Sequence, residues 1–388
     1  MKFLLSVLFI LAAIVTGLVY ITRPQHQHGF GASVVDTLSN EDNASGFARA
    51  DRVREFVFPD DAGPHPQFQT EWWYYTGNLT DESGRHFGFQ LTFFRRALSP
   101  DGNKRLSKWA TNQVYFAHFA VSDVKNRAFY PSERWSRGVI GLAGAEGNPY
   151  RVWVEDWSAT AEGKSVRLRA KNDSAEIDLI LTPKKPTILH GDNGLSKKSA
   201  EPGNASYYYS ETRLHTKGTI TVKGETLVVA GFSWLDREWS TSALSKEQAG
   251  WDWFSLQLSD NREVMLYQIR LKNGGIDPYS SGSLIESDGA VRHLGVDDFS
   301  IKVLDNWKSP NSGAIYPSKW RIKIPRYNID LTVTPHQSNQ ELSLTFTYWE
   351  GAVKVEGEDI FGNGYVELTG YANPNQADSV SNRKEKIK

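Results

Sequence analysis

Apolar and polar residues alternate along most of this chain, and that alternation predicts strands. Glu71–Thr80 and Arg85–Arg95 are aromatic-rich runs joined by Asp81-Glu82-Ser83-Gly84, a turn sequence that predicts a hairpin. Tyr150–Trp157 precedes Ser165–Lys171, and Thr219–Val222 precedes Thr226–Ala230 across Lys223-Gly224. The runs Arg262–Lys272, Lys319–Ile324, Asn328–Thr334, Glu341–Trp349 and Gly364–Tyr371 continue the pattern. The body shows no apolar stripe of helical period. The predicted class is all-β and antiparallel, with short connections.

Two strands repeat one another. Trp72-Trp73-Tyr74-Tyr75-Thr76-Gly77-Asn78-Leu79-Thr80-Asp81 aligns with Trp251-Asp252-Trp253-Phe254-Ser255-Leu256-Gln257-Leu258-Ser259-Asp260. Each is followed by a turn and a second strand ending in Arg, at Arg95 and Arg270. The repeat predicts two similar domains, 52–246 and 247–372, dividing near Leu244–Gly250. Closing each sheet into a barrel would remove its exposed edges.

The ends read differently. Lys2 precedes an apolar run from Phe3 to Ile21. At about 19 residues it can span a bilayer and exceeds the roughly 7–15 of a signal-peptide core. It predicts an N-terminal apolar helix within 1–22 that anchors the chain in the inner membrane, or, if cut near Gly17, a signal peptide. Either way the body is expected to be periplasmic or otherwise extracytoplasmic. Residues 23–51 read as a polar linker and 373–388 as a disordered tail.

Composition narrows the chemistry. The formal net charge of the 388 residues is -1, so no basic field calls for nucleic acid. Cysteine is absent, which removes thiol, disulfide and cysteine-based metal chemistry. Aromatics reach 12%, with 13 Trp, which suggests half-buried sheets or an aromatic-lined cavity. The sequence has no serine-hydrolase elbow, zinc-protease motif, phosphate loop or dinucleotide fingerprint. His26 and His28 form the one close histidine pair and lie in the linker without adjacent ligands. No cofactor and no metal are expected.

The strongest candidate is Gly231-Phe232-Ser233-Trp234-Leu235-Asp236-Arg237-Glu238-Trp239. On a strand, Asp236, Glu238 and Trp234 share one face and Arg237 takes the other. Acids beside Trp in an apolar cavity have raised pKa values, which suits a general acid; a turn cap or cross-strand ion pair is the structural alternative. Glu71 before the Trp72–Tyr75 run, Asp252 between two Trp, and Tyr348-Trp349-Glu350-Gly351 repeat the pairing of acid with aromatic. Alternation puts Trp72 and Tyr74 on one face, Trp73 and Tyr75 on the other. His118, within Phe116-Ala117-His118-Phe119-Ala120, reads as a core histidine or an acid–base residue.

These segments resemble the AttH/carotenoid 1,2-hydratase family. The resemblance rests on Glu71–Gly77, His118, Trp234–Trp239, Gly250–Phe254, Tyr316–Trp320, Tyr348–Gly351 and Gly364–Tyr371, in order from about Phe56 to Tyr371. It implies two tandem lipocalin-like barrels and a lipophilic or isoprenoid small molecule as ligand. Leu235 and Arg237 stand where the hydratase branch is histidine-rich, so the chain looks closer to the AttH-like branch. That branch's exported accessory proteins imply ABC-transporter components as partners.

Three functions follow as expectations. In the first, neutral Asp236 protonates an alkene, the rings of Trp234, Trp239 and Tyr267 stabilise the cation, and Glu238 or His118 directs a water. In the second, the barrels bind a lipophilic molecule without chemistry and hand it to a membrane partner. In the third, paired carboxylates such as Asp236 with Asp252 or Glu71 hydrolyse a substrate. The candidate catalytic residues are Asp236, Glu238 and His118. The candidate substrate-binding residues are Glu71, Trp73, Trp234, Trp239, Asp252, Tyr267, Tyr348 and Glu350.

Overall fold

The structure is a computed structural model that describes residues 45–101, 110–241 and 244–372. The predicted apolar helix and the tail from 373 onward lie outside these residues, as does most of the linker. Among the described residues, no helix is long and apolar enough to cross a membrane.

Strands dominate, and they form two barrel-like antiparallel sheets. The main path of the first sheet runs Ala128–Arg137, Gln113–Asp123, His86–Ala97, Thr70–Asp81, Glu225–Ser240, Ala205–Val222, Ala175–Pro183, Ser165–Lys171, Trp157–Glu162, Tyr150–Val154, Ala143–Gly147. The second runs Val291–Leu294, Ser281–Ile285, Glu263–Leu271, Gln248–Leu258, Phe361–Leu368, Thr347–Glu356, Ile329–Pro335, Ile315–Ile324, Ser300–Lys308. In both, the opening aromatic strand pairs with its hairpin partner on one side and with the last strand of its sheet on the other. The two aligned aromatic strands therefore hold equivalent places.

Alternation sorts each strand into an inward and an outward face. Inside the first barrel lie Trp73, Tyr75, Phe89, Leu91, Phe93, Phe119 and Trp157. Inside the second lie Phe254, Leu256, Trp320, Trp349, Val353 and Val366. The outward faces of the opening strands are also covered, because the barrels pack against each other there. Tyr74, Tyr208 and Trp234 of the first sheet form one cluster with Trp253, Met265, Tyr267 and Tyr365 of the second. Phe94 and Phe116 form another with Leu342, Phe346 and Tyr348.

Three predicted elements differ in extent. Tyr150–Trp157 is two strands, because Glu155 takes a left-handed conformation at φ 58° and turns the chain. Glu341–Trp349 likewise breaks, into Glu341–Ser343 and Thr347–Glu356. The Lys223-Gly224 hairpin is far longer than its most regular portion, spanning Ala205–Val222 and Glu225–Ser240. That length carries the Asp236 segment to the barrel–barrel contact.

The contact is close at Gly88, where an added Cβ would sit 2.5 Å from the Ala352 Cβ. Gly88→Ala is expected to destabilise the protein by about 1–3 kcal/mol through overpacking, read as a lower denaturation midpoint in urea.

Candidate functional site

The outward face of the first sheet carries rows of side chains that cross the strands. Register places Glu133, His118, Thr92, Tyr74, Asp236 and Ser210 in one row, each opposite the next. The neighbouring row holds Trp135, Phe116, Phe94, Trp72, Glu238 and Tyr208. On the second sheet, Glu350, Glu367, Trp253, Tyr267 and Ser281 form the facing row. Between these surfaces is a cavity of about 100 Å³, lined by Trp72, Tyr74, Asp236, Glu238, Trp253 and Tyr267 among others. A water needs roughly 10–15 Å³, so the cavity holds several waters or the reacting end of a larger molecule.

Asp236 is the buried acid of this cavity. The Tyr208 hydroxyl donates to its Oδ2 at 2.6 Å, and Trp234 Nε1 donates to Oδ1 at 2.6 Å. Ser210 Oγ also donates to Oδ1. Burial outweighs these donors and, with Glu238 nearby, pushes the Asp236 pKa up to about 7. Its surroundings allow the neutral form. Trp can only donate, but Ser210 can accept a proton from Asp236 and donate onward to His190 Nε2, 2.7 Å away. The other nitrogen of His190 lies 2.9 Å from Ser283 Oγ in the second barrel. Burial pushes the His190 pKa down to about 3, so its ring is uncharged at neutral pH.

Glu238 lies two residues along the same face, about 6.5–7 Å from Asp236 in Cα distance. It accepts from Ser206 and pairs with Lys198 Nζ at 3.2 Å. The Lys198 ammonium also sits 4.2 Å from the centroid of the Tyr267 ring. Across the cavity, Glu367 accepts from Trp251 Nε1 at 2.9 Å. Burial, and after it the charges of Asp236 and Glu238, push its pKa up to about 8 against that donor. Among the described residues, no three His, Asp or Glu side chains gather to hold a metal ion.

The structure thus brings together Asp236, Glu238, Trp234 and Tyr267 of the predicted residues, with Tyr348 on the same wall. Glu350 lies behind that wall, fully buried. Others do not join them. Glu71, Trp73 and Trp239 point the opposite way along their strands. Glu71 is bound by Arg95 and Arg237, with the His65 backbone N–H donating at 3.0 Å. Burial alone would raise its pKa, but the two guanidiniums hold it far below the ordinary carboxylate value. Trp73 lies beneath the Arg237 guanidinium at 3.9 Å, and Trp239 stacks on His65 at 3.8 Å. Asp252 faces the interior of the second barrel, paired with Arg270 Nε at 2.9 Å and Tyr371 Oη at 3.0 Å. A paired-acid site of Asp236 with Glu71 or Asp252 is therefore not assembled.

His118 is on the cavity's side of its sheet but three strands from Asp236, roughly 14 Å at normal strand spacing. Its Nδ1 lies 2.7 Å from Tyr348 Oη, tying the barrels together. Burial lowers its pKa to about 4 despite Glu133. It cannot direct a water at Asp236 from there.

Sequence reasoning missed Glu367, Tyr208, Ser210, Lys198 and His190. A signal for Glu367 existed. Extending the repeat aligns Trp234-Leu235-Asp236 with Tyr365-Val366-Glu367, and register confirms the match: Asp236 lies opposite Tyr74, and Glu367 opposite its counterpart Trp253.

Comparison with known proteins gives a consistent result. Residues 49–371 match the family described as AttH-like. A solved AttH structure from Nitrosomonas europaea aligns with a TM-score of 0.76 and 36% identity, covering 84% of this chain and 100% of that one. The kievitone hydratase structure from Nectria haematococca shares the fold, with a TM-score of 0.63 and 14% identity over 83% of this chain and 95% of that one. By sequence, kievitone hydratase of Fusarium solani subsp. phaseoli is 24% identical over 236 residues, which is 56% of this chain. The match spans 63% of that relative's length.

Proposed function

Because this chain belongs to the AttH-like family, we propose that its inter-barrel cavity takes an apolar unsaturated molecule, isoprenoid in type, and adds water across a double bond. The observation that carries this reading is Asp236: a buried carboxyl, raised to about 7, set among aromatic rings. The hydratase name of two of the proteins it resembles is in keeping with it.

Neutral Asp236 gives its proton to one alkene carbon, and the π pair becomes the new C–H bond. The cation on the other carbon faces the rings of Trp72, Tyr74 and Trp253, each worth roughly 0.5–2 kcal/mol to a desolvated cation. A water held by the Glu238–Lys198 pair attacks that carbon. The proton it loses returns to the Asp236 carboxylate, so the acid is regenerated and no cofactor is consumed.

The reactive form of Asp236 is the protonated one. Conversion should therefore be flat below about pH 7 and fall about tenfold per unit above it. A pH profile of kcat/KM that instead rises through neutrality would mean the carboxylate acts as a base.

A further inference from the structure

Beyond the cavity the two barrels meet again at a pair of stacked histidines. His86 opens the strand His86–Ala97 of the first sheet, and His336 follows Ile329–Pro335 of the second. Their rings lie face to face with centroids 4.0 Å apart. Each ring is held by an asparagine: His86 Nε2 lies 2.9 Å from Asn78 Oδ1, and His336 Nε2 lies 2.9 Å from Asn363 Oδ1. The Asn78 amide nitrogen donates to the Gly364 carbonyl of the second barrel at 2.9 Å. That bond fixes which way the amide points, and so places the His86 hydrogen on Nε2. Beside the pair, Gly88 packs directly on Ala352, whose carbonyl accepts from the His336 backbone N–H at 3.0 Å. Asn78 lies four residues from Tyr74 on the same strand face, roughly 13 Å along. The stack and the cavity therefore share one contact between the barrels.

Nothing around the pair is placed to hold a charge on it. A proton on one ring would be buried against the face of the other, and protons on both would repel across 4.0 Å. The acids on the adjoining strands are committed elsewhere. Asp81 accepts from Ser83 and from the Arg85 backbone, Asp123 pairs with Arg85 at 2.6 Å and accepts from Asn126, and Glu225 pairs with Arg85 at 2.8 Å. From the second sheet the facing charge is Lys354, which opposes protonation of His336 and pairs with Glu356 at 3.1 Å. Burial, and after it the neighbouring ring, push His86 down to about 3; burial lowers His336 as well.

We infer that the His86–His336 stack is an acid-sensitive latch between the barrels, and that proton uptake by it loosens their contact and opens the cavity. The latch governs access to the proposed hydration site but rests on the contact alone, whatever the cavity binds. Both rings are neutral while the barrels are joined, and regain the ordinary histidine value of about 6.5 when they part. A histidine whose value is depressed in the joined form favours the parted form as pH falls below about 6.5, and does so down to the depressed value. Two such rings shift the opening equilibrium by up to about 100-fold per pH unit.

The chain has no cysteine, so a single introduced thiol reports one place. Thr76→Cys puts it on the contact face between Tyr74 and Asn78, and Val121→Cys puts it inside the first barrel; both positions are buried. The rate at which dithiodipyridine labels each full-length variant, relative to glutathione, is measured from about pH 7 to about pH 4.5. As pH falls, Thr76→Cys should lose protection while Val121→Cys keeps it. Adding His86→Gln/His336→Gln leaves an amide donor for each asparagine but nothing that titrates. The loss at Thr76→Cys should then be shallower by about 10- to 100-fold per pH unit. His336→Gln alone should remove about tenfold per unit, which keeps the test open if the double variant does not fold. His118 and His190, which also bond across the contact, are present in every variant, so their own protonation cancels. The same pH dependence with and without the two imidazoles would overturn the latch. So would a loss of protection at Val121→Cys in step with Thr76→Cys, which would mean that the barrel itself unfolds. No readout involves conversion, so the latch and the hydration reading stand or fall separately.

Discussion

Replacing Asp236 with Asn is expected to cut conversion by about 10²- to 10⁴-fold, the usual contribution of a positioned acid, while the fold stays intact. Asn fills the same volume, and with its oxygen toward Tyr208 its amide donates to Ser210, leaving the Trp234 N–H without its acceptor. The cost to stability should be near about 1 kcal/mol, a shift of about 2–4 °C in Tm for a domain of this size. A variant that melts normally and still binds the proposed substrate but makes no product separates proton donation from cavity shape. Unchanged turnover would remove Asp236 from the mechanism.

The second large effect is expected away from the cavity. Glu71→Leu should destabilise the protein by about 3–5 kcal/mol, because it leaves the buried guanidiniums of Arg95 and Arg237 without their shared carboxylate. The pH dependence has a definite sign. A carboxyl whose folded pKa is depressed stabilises the fold fully above its unfolded pKa, and that contribution is lost progressively as pH falls from there through the depressed folded pKa. The wild type should therefore lose stability in acid more steeply than Glu71→Leu. Urea denaturation at neutral pH and at about pH 2.5, well below the unfolded Glu pKa of about 4.3, checks both statements. A loss below about 1 kcal/mol would mean that the network is not what fixes this end of the first barrel.

Strands, hairpins and the duplication were legible because they depend on local alternation and turn chemistry. The sharing of one face by Asp236 and Glu238, with Arg237 opposite, followed from the same rule. Which face meets the cavity was not legible. On an ordinary surface strand one face is polar, but here both faces of Thr70–Asp81 are covered, one by its own barrel and one by the other. Glu71, Trp73 and Trp239 therefore looked as eligible as Trp72 and Tyr74. The partners of Asp236 were hidden for another reason. Ser210, Tyr208 and His190 come from strands or loops far away in sequence, and only register brings them in. Lys198 and Glu367 meet the same cavity from opposite barrels, a relation no local pattern encodes.

Hydration is tested directly with water labelled with oxygen-18. The protein is incubated in it with a lipid extract of its native host, and the extract is analysed by mass spectrometry. Hydration at Asp236 should yield a compound that gains one labelled water in the presence of the wild type and gains none with Asp236→Asn. A lipid that co-purifies with the protein and is recovered unlabelled and unaltered would contradict hydration and leave a binding protein in its place.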